Sequence, residues 1–541
     1  MMVNFSRHYK WFLTISEGFR LRMFMFFALE ILTIIFTLSF IFYSKKTIDI
    51  ALNVIHGDLQ FNLAIVIICA LIGVLAKSLS QWVNQRTQIN MTLDFQYSVL
   101  KTQMLSVWKV IKRWDTGDLL VRINSDCTEV VQMISQTWIT FIITLLRISM
   151  SFIFLYSMDS MLAIIILCVT PLFLLTKIYF KKMRALNAKF KKSESEVGAA
   201  MQENLRYRTV LRALGVLNNR LIFLKNIQKN FANLRLEYLN FTLVSQTMMR
   251  FAISIGYLVA FSWGIYRLKN SEITFGTMTA FLQLVNQIQS PILALAGFFP
   301  AFVRYKVSSD RVKELLDVEL DHFKSGVFIK NVNKIIFNDV SFKYEDDQII
   351  NKLSTTFKKG EITAILGASG KGKTTLIRLL LGLLKPNNGR IFITNETDNY
   401  ELDTMHVENF SYVPQGNTLL SGTIRSNITL GIDGITDEKL KEILYISCAE
   451  FVFDLPDGID TLVGESGLGL SEGQAQRIAI ARAILRDRDI WLFDEATSAI
   501  DQETTKIFLE RIKYLIKDKI VIFVTHDSTV ASLSHKQLLL N

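Results

Sequence analysis

Six apolar stretches in the N-terminal part of this 541-residue chain constrain its fold more than any other feature. Each contains about 20 predominantly apolar residues, which is the length that an α-helix needs to cross the hydrocarbon core of a bilayer. An even number of spans returns the chain to the side on which it started. We therefore expect membrane-spanning helices at residues 23–43, 61–83, 138–157, 161–180, 241–266 and 278–303.

The net charge of +11 lies to a large extent between these spans, as in the stretch KIYFKKMRALNAKFKK at residues 177–192. Cytoplasmic loops of membrane proteins are rich in Lys and Arg, so topology explains this excess better than a nucleic-acid surface does. The loops after the second and fourth spans are long and basic, and we expect them to extend the helices on the cytoplasmic side. The sequence thus predicts a multi-pass protein of the cell membrane with a cytoplasmic N-terminus and C-terminal domain.

The last 210 or so residues have the composition of a soluble domain. Short β-rich runs such as IIFNDVSFKY alternate there with helix-like runs such as TTLIRLLLGLL, which indicates an α/β layout. The residues before the first span are amphipathic and favour a position at the membrane surface. We divide the chain into an interfacial segment at 1–20, a six-helix transmembrane domain at 21–310, a linker at 311–330 and an α/β domain at 331–541.

The four cysteines are scattered along the chain. They form no Cys-x-x-Cys pair and have no histidine partners at metal-binding spacing, which argues against a disulfide framework or a zinc site. We expect buried, reduced thiols at Cys69, Cys127, Cys168 and Cys448.

The stretch GASGKGKT at residues 367–374 matches the phosphate-loop pattern G-x-x-x-x-G-K-[ST]. It follows a strand-like run and opens a helix-like run, which is the context that the motif requires. Backbone N–H groups of such a loop turn inward around phosphates, and the helix N-terminus favours anionic charge. Lys373 would reach the β- and γ-phosphates, and Thr374 would offer its hydroxyl to Mg²⁺. The loop residues expected to contact ATP are Gly367, Ser369, Gly370, Lys371, Gly372, Lys373, Thr374 and Thr375.

Two further strand-like runs end in polar residues of the kind that nucleotide hydrolysis uses. In DIWLFDE, four apolar residues precede Asp494 and Glu495. Asp494 would hold Mg²⁺, and Glu495 would orient or deprotonate the water that attacks the γ-phosphate. In VIFVTHD, His526 follows a second apolar run and is a candidate contact to the γ-phosphate.

The order of these motifs, with SYVPQG, LSEGQ and SAID between and after them, resembles an ATP-binding cassette over the whole of the last 210 residues. The resemblance implies that two cassettes pack head to tail and share each ATP. Ser471, Gly473 and Gln474 of the LSEGQ signature turn would then hold the γ-phosphate bound by the partner's phosphate loop. This chain has one phosphate loop and one signature, so a second copy or a related half-transporter is implied.

The same resemblance assigns roles to three other residues. Tyr344 corresponds to the aromatic residue that stacks on adenine. Gln415 corresponds to the glutamine that contacts Mg²⁺ or its water, and Asp501 lies in the loop that communicates across the dimer. The signature departs from the family pattern at Glu472, where a glycine is usual. Because the phosphate contacts of the signature mostly use the serine and the backbone, we expect function to survive this departure, although a carboxylate near the γ-phosphate would weaken ATP binding.

The membrane half resembles that of an exporter-type half-transporter. The supporting stretches are TGDLLVRINSD, ENLRYRTVLRALG and ITFGTMTAFLQLVNQIQSPI, which begin at residues 116, 203 and 273. The resemblance implies an ATPase coupled to transport by alternating access, in which ATP must bind the closed dimer better than the open one. A lipid flippase, a metal-chelate importer and an ATP-gated channel or regulator are alternatives on the same fold.

Polar residues inside the predicted spans are the sequence's pointers to a cargo. Glu30 and Arg147 lie well within spans, whereas Lys77 and Arg250 lie nearer the cytoplasmic ends. Ion pairing and helix–helix hydrogen bonding would account for them, and a polar cavity for an amphipathic peptide, lipid or drug is the second interpretation. The sixth span adds four amides to this set: Gln283, Asn286, Gln287 and Gln289.

Overall fold

The chain folds into two compact units, each formed from two separate stretches of sequence. The first comprises Met1–Lys101 and Thr116–Leu316, and the second comprises Thr102–Asp115 and Asp317–Asn541. The computed structural model describes residues 11, 14–108, 114, 116–169, 177–321, 326–345, 347–368, 370–464 and 469–540.

In the described residues of the first unit, the regular secondary structure is all helical. Most of its helices are far longer than a bilayer crossing requires. In chain order they are α1 Arg20–Ala51, α2 Leu59–Met104, α3 Thr116–Met158, α4 Ser160–Val169, α5 Lys177–Arg206, α6 Arg208–Ala213, α7 Leu217–Lys269 and α8 Phe275–Leu316.

Four helices in the described part of the chain, α1, α2, α3 and α7, are both long and apolar enough to cross a membrane. They contain the predicted first, second, third and fifth spans. The predicted fourth span, at 161–180, includes residues 170–176, which lie outside the described residues. The predicted sixth span, at 278–303, lies within α8, which continues past Pro291 and Pro300. Its four amide side chains lower the hydropathy of that stretch.

Apolar side chains from five of these helices form the core of the first unit. They pack at the end of the bundle where α3 turns into α4 and where α7 leads to α8. Small residues such as Ala260 and Ala280 let the helices approach closely. Large buried members include Ile41, Leu155, Leu162, Phe281, Leu284 and Ile288. Among the cysteines, Cys69, Cys127 and Cys448 are free and buried as predicted.

The second unit is built on two sheets. A parallel five-stranded sheet has the strand order β11-β3-β10-β9-β6, and an antiparallel four-stranded sheet has the order β2-β1-β4-β5. Strands β9 and β10 are buried along their whole length, because helices and the second sheet cover both faces. The strands are β1 Lys334–Tyr344, β2 Asp347–Lys358, β3 Ile362–Leu366, β4 Asn388–Thr394, β5 Asn399–Glu401, β6 Phe410–Val413, β7 Gly422–Thr423, β8 Leu462–Val463, β9 Ile490–Asp494, β10 Ile520–Val524 and β11 Lys536–Leu539.

Helices connect these strands and cover the parallel sheet. Those with a side-chain cap begin at Thr423, Thr436, Ser471, Asp501 and Asp527, residue types that favour N-cap positions. The helices of this unit are α9 Lys373–Leu380, α10 Ile424–Thr429, α11 Asp437–Ile446, α12 Glu472–Arg486, α13 Gln502–Ile512 and α14 Ser528–Leu533.

The register of the parallel sheet brings four predicted site segments to one edge. Val524 of β10 pairs with Ile365 of β3 on one side and with Asp494 of β9 on the other. On β6, Val413 pairs with Phe493. The carboxyl ends of these strands therefore lie side by side, and ligands of parallel sheets bind at such an edge.

Thr102–Asp115 packs with the ATPase unit, whereas the predicted boundaries place it in the transmembrane domain. The physical reason is backbone pairing. Ser106 forms an antiparallel bridge with Leu320, and the Asp321 N–H donates to the Leu105 carbonyl at 2.8 Å. Both partners lie in the stretch that follows α8.

Candidate nucleotide site

The phosphate loop joins β3 to α9 through two left-handed glycines. Gly370 and Gly372 have φ values of +85° and +88°, which L side chains rarely adopt. A Cβ on Gly372 would also come within 2.8 Å of Ile349, so the loop cannot take a larger residue there without moving β2. This geometry leaves the amide groups at the start of α9 available to an anion. Ser369 lies outside the described residues.

Lys373 is the point at which the site residues of the sheet edge meet. Its side chain is buried, and its Nζ donates to the Gly367 carbonyl at 3.0 Å. The same Nζ lies 3.5 Å from Oε1 of Glu495 and contacts the ring of His526. The Nε2 of His526 lies 3.1 Å from the same Glu495 oxygen. The Nε2 of Gln415 donates to the other carboxylate oxygen of Glu495 at 2.6 Å.

This cluster joins four chain segments that are up to 159 positions apart in the sequence, from Gly367 to His526. The structure thus brings together the predicted lysine, base, histidine and glutamine. A lysine and a carboxylate that meet at a buried strand edge can hold a phosphoryl group and a water beside each other.

Asp494 lies at the end of β9, next to this cluster, and is buried as well. Burial raises the pKa of Asp494 to about 6, and a hydrogen bond from the Tyr412 hydroxyl at 3.3 Å opposes that effect. A buried carboxylate of this kind is stabilised in its charged form by a nearby cation. Asp494 can therefore serve as a ligand for a divalent metal ion.

Glu495 adopts a left-handed backbone conformation, with φ of 47°. Its N–H donates to the Val524 carbonyl at 2.8 Å, which ties the end of β9 to β10. Non-glycine residues in this region of backbone space are uncommon and cluster at active sites. The conformation ends the strand and separates the side chain of Glu495 from that of its neighbour Asp494.

The remaining residues of the phosphate-loop side differ in exposure. Thr374 and Lys371 are exposed, whereas Thr375 is buried. The ring of Tyr344 is 37% exposed, and its hydroxyl accepts a hydrogen bond from Arg378 at 3.0 Å. The exposed Thr374 and the partly exposed Tyr344 can both meet a ligand.

The signature turn is closed on itself. Ser471 caps α12: its hydroxyl accepts from the Gln474 N–H at 3.2 Å, and its own N–H donates to Oε1 of Gln474 at 2.9 Å. A Cβ on Gly473 would come within 2.4 Å of the Ala499 carbonyl, so this position requires glycine. Within the described residues, these hydrogen bonds do not reach the Lys373 cluster, so the structure does not bring the two motifs together in one chain.

Asp501 is likewise used locally, as the N-cap of α13. Its carboxylate accepts from the N–H and the hydroxyl of Thr504, at 2.9 and 2.8 Å. These hydrogen bonds hold the pKa of Asp501 below its usual range. The loop that carries Asp501 is thereby kept charged and ordered next to the signature helix.

Sequence reasoning missed one residue that joins these two turns. Gln476 is 1% exposed; its Nε2 donates to the Ser498 hydroxyl at 3.1 Å, and its Oε1 accepts from the Ala499 N–H at 3.1 Å. Its amide therefore fastens α12 to the loop before Asp501. In the sequence, the signal for this role was the amide side chain of Gln476 among the apolar residues on one face of α12.

The described residues contain no group of three or more His, Cys, Asp or Glu side chains that could hold a metal ion by themselves. Mg²⁺ usually keeps few protein ligands and binds through substrate phosphates. One buried carboxylate and one exposed hydroxyl, from Asp494 and Thr374, fit that pattern.

In the membrane half, Glu30 is buried and gathers the polar residues that lie near it. Its Oε1 accepts from Lys77 at 2.7 Å and from the Ser80 hydroxyl at 2.6 Å, and Arg147 lies 3.8 Å from its Oε2. Ion pairing across α1, α2 and α3 therefore accounts for these three charges.

A separate cavity of about 600 Å³ between α7 and α8 is lined by Ile253, Ser254, Tyr257, Leu258, Leu282, Gln283 and Asn286.

Two family profiles match this chain. The ABC transporter transmembrane region matches residues 23–292, and the ABC transporter profile matches residues 350–498. A multidrug export ATP-binding/permease protein of Staphylococcus aureus strain NCTC 8325 is 29% identical over 425 residues, which cover 76% of this chain and 72% of that protein. Its counterpart in the bovine strain RF122 is 28% identical over the same lengths.

A solved structure also has the same fold. A bacterial Atm1-family ABC exporter with ATP bound is similar with a TM-score of 0.80 and 22% identity, over 96% of this chain and 94% of that chain. Half-transporters of this kind work as dimers. The phosphate-loop cluster, the self-capped signature and both family profiles lead to one assignment: this chain belongs to the ABC transporter family, as an exporter-type half-transporter whose ATP hydrolysis is coupled to transport across a membrane.

Proposed function

We propose that two copies of this chain form an exporter of amphipathic molecules, with two ATP sites that each use residues of both copies. The observation that carries this proposal is the division of the site within one chain. Lys373 and Glu495 meet at the sheet edge, whereas Ser471 caps its own helix and, among the described residues, has no hydrogen bond to the phosphate loop. A homodimer supplies both halves, because every required residue is present in the one sequence.

On the phosphate-loop side, each residue has a defined task. The amides of the loop and the start of α9 bind the phosphates, and Lys373 neutralises charge on the β- and γ-phosphates. Glu495 accepts the proton of the attacking water, and Gln415 holds the Glu495 carboxylate in place through its 2.6 Å hydrogen bond. His526, which contacts both Lys373 and Glu495, orients the γ-phosphate.

Asp494, Thr374 and Gln415 fit a magnesium ion bound together with ATP. The buried Asp494 carboxylate has a raised pKa, so a cation beside it offsets the cost of its charge. When bound, Mg²⁺ would supply charge neutralisation at the phosphates during phosphoryl transfer. The chain's own residues then position the nucleotide: Tyr344 stacks on adenine, and Thr374 and Thr375 lie in the first turn of α9 beside the phosphates.

The partner's signature completes the site. Ser471 and the amides at Gly473 and Gln474 would contact the γ-phosphate held by the other copy. Because these contacts exist only in the closed dimer, ATP binds that state more tightly and shifts the dimer towards it. Asp501, fastened to α12 through Gln476, would carry the state of one site to the other.

The cargo is inferred from the polar lining of an otherwise apolar cavity. Gln283 and Asn286 lie with Tyr257 and three aliphatic residues between α7 and α8. Such a mixture suits molecules with an apolar body and a few polar groups. The relatives named as multidrug exporters agree with that class of cargo. We place the ATPase domain on the cytoplasmic side of the cell membrane, in line with the basic loops between spans.

Reconstitution of the purified chain in liposomes tests this function. Labelled peptides, lipids and drugs are offered on the side of the ATPase domain, and ATP-dependent movement to the other side is measured. Movement of at least one class is expected, and it must stop in Glu495→Gln. Arg147→Ala separates the two interpretations of the intramembrane charges. Because Arg147 pairs with Glu30, we expect folded Arg147→Ala to keep normal substrate-stimulated ATPase activity, even if the variant is less stable than wild type.

If wild type hydrolyses ATP but moves none of the three classes, the cargo assignment is wrong. If Glu495→Gln moves cargo as fast as wild type, hydrolysis does not drive the transport.

A further inference from the structure

A short segment after α2 brings an aromatic ring to the ATPase unit. The chain continues from Met104, the last residue of α2, into Leu105 and Ser106, which pair with the stretch after α8 through two backbone contacts. Trp108 comes two residues after Ser106, and the N–H of the intervening Val107 donates to the Glu319 carbonyl at 3.2 Å. This tryptophan belongs to the same compact unit as the nucleotide site, although its segment is the continuation of a membrane-spanning helix.

Arg378 contacts both this tryptophan and Tyr344, the residue that is predicted to stack on adenine. Its guanidinium carbon lies 5.2 Å from the centroid of the Trp108 ring, which is within the range of a cation–π contact. Its Nη1 donates to the Tyr344 hydroxyl at 3.0 Å. Arg378 lies in α9, five residues after Lys373, so the helix that begins at the phosphates also carries this link.

The ring of Tyr344 has a second neighbour that limits its orientation. Phe342 lies two residues earlier on the same strand, and its ring meets that of Tyr344 edge to face, with 4.9 Å between centroids. The hydroxyl end of Tyr344 is held by Arg378, and the ring stays partly open to solvent. A ring held at both ends presents a defined face to a stacking base.

The ring of Trp108, unlike that of Tyr344, is not positioned by a hydrogen bond among the described residues. Its indole Nε1 is buried and has no hydrogen-bond partner among the described residues. Leaving such a donor unpaired is unfavourable, so the position of the ring depends on its other contacts. The guanidinium of Arg378 is one of those contacts, and a change in Arg378 therefore changes what holds the indole.

We propose that Arg378 is a positioning residue that couples adenine binding at Tyr344 to the position of Trp108 after α2. Stacking of adenine on Tyr344 fixes its hydroxyl, the hydroxyl fixes the guanidinium, and the guanidinium fixes the indole. The occupied nucleotide site thus restrains the chain where it leaves α2. This inference rests on the proposed function, because it takes Tyr344 as the residue that stacks on adenine.

The positive charge of Arg378 also acts on two neighbouring titratable groups, so a test of the link must keep that charge. It lowers the pKa of both Tyr412 and Asp494, against the larger effect of burial. Arg378→Ala would therefore disturb the metal-binding carboxylate as well as the link. Arg378→Lys keeps the positive charge but loses the planar face and the donor that reaches Tyr344.

The test compares single and double variants of the full-length chain in lipid nanodiscs. The singles are Tyr344→Phe, Arg378→Lys and Trp108→Leu, and KM for ATP and kcat are measured for each. We expect each single variant to raise KM about threefold with little change in kcat. If the three residues act as one unit, the double variants raise KM no more than the singles do. Multiplicative effects in the double variants would overturn the coupling.

Arg488→Lys is a matched control. Its guanidinium carbon lies 5.1 Å from the ring centroid of Phe328 in the same unit, away from the nucleotide site. We expect this variant to lose a comparable cation–π contact and to keep the wild-type KM. A rise in KM equal to that of Arg378→Lys would show a general loss of stability and would overturn the specific link.

Two further measurements keep the inference separate from the proposed function. Tyr344→Ala should raise KM about tenfold if the ring stacks on adenine. An unchanged KM in that variant overturns the adenine assignment itself. Nucleotide-induced change in tryptophan emission should fall in Trp108→Phe and in Arg378→Lys. A change that stays undiminished in both variants, with Tyr344→Ala impaired, overturns the link and leaves the adenine site standing.

Discussion

The phosphate-loop side and the signature side of this ATPase domain are built in different ways. On the first, Lys373, Glu495 and Gln415 lie in segments that follow three different strands, and they meet because the parallel sheet aligns those strands. On the second, Ser471 and Gln474 bond to each other across three positions of one turn. The first side is a long-range structure and already holds its own groups together. The second is local, and its residues face outward.

This difference predicts which property of the dimer a substitution on each side should change. A change at the sheet edge alters the chemistry inside one copy. A change at the signature alters what one copy offers to the other, while the chemistry of its own loop stays intact. Kinetics of isolated and mixed copies can therefore distinguish the two sides.

The largest effect is expected for Glu495→Gln, because it removes the base from the phosphate-loop side. We expect ATP turnover to fall by about 100-fold or more, while ATP binding persists. Steady-state phosphate release and retention of labelled ATP are the measurements. Asp518→Asn, on an exposed carboxylate that pairs with Lys359, is the control and should turn over normally. Normal turnover in Glu495→Gln would show that another group is the base.

The next effect tests whether the two sides belong to different copies. Lys373→Ala and Ser471→Ala should each trap little nucleotide when present alone. A mixed dimer regains one complete site, because its intact Lys373 and its intact Ser471 lie on opposite copies. With random pairing at equal amounts, trapping should recover to about a quarter of the wild-type level. Vanadate-dependent nucleotide trapping measures this recovery.

Ser471→Ala also removes a helix cap, which typically costs about 1 kcal/mol of stability. Thr436→Ala is the matched control, because Thr436 caps α11 in the same way through the Lys439 N–H at 3.3 Å. It should lose a similar amount of stability and trap nucleotide normally. Failure of the mixed dimers to recover would mean that one chain completes its own site.

A third effect, of intermediate size, is a pH dependence on the phosphate-loop side alone. Burial raises the pKa of Asp494 from 3.8 to about 6, so the carboxyl becomes protonated below about pH 6. Binding of Mg²⁺ with ATP should then weaken by up to about tenfold per pH unit below that value. Asp501 on the signature side has a lowered pKa and stays charged throughout.

The same shift sets the sign of the stability effect without nucleotide. The folded domain holds the Asp494 proton more tightly than the unfolded chain does, so stability decreases as pH rises from about 4 to about 6. Asp494→Asn should reduce this slope. Thermal unfolding and ATP-analogue binding across the range measure both effects. A binding profile that is flat through about pH 6 would exclude Asp494 as a metal ligand.

The same comparison explains what could be predicted from the sequence. The phosphate loop and the signature are contiguous patterns, and the strands before Asp494 and His526 are continuous apolar runs, so each was recognisable by itself. The hydrogen bonds of Gln476 and the contacts of Arg378 could not be recognised in the sequence, because they join residues that only the tertiary structure brings together. Single side chains of that kind leave no periodic signal.

The membrane half shows the same limit. The most apolar spans were recognisable by composition, because hydropathy is a local property. The sequence places Thr102–Asp115 in the transmembrane domain, because this stretch adjoins a predicted span. Its backbone pairing with the stretch after α8 depends on residues about 200 positions away, which composition does not reveal.

The smallest effect is expected at Glu472, the departure within the signature turn. Its carboxylate lies in the first turn of α12, where it favours the helix but would face the partner's γ-phosphate in a closed dimer. Glu472→Gln removes the charge and keeps the shape, so ATP affinity should rise about two- to threefold through reduced repulsion.

Glu503→Gln is the control, because Glu503 is an acidic residue in the first turn of α13. Equilibrium binding at low and high salt should show the gain shrinking with salt in Glu472→Gln, since screening weakens the repulsion between exposed charges. An equal gain in both variants would trace the effect to net charge, and the carboxylate of Glu472 would then lie away from the phosphate.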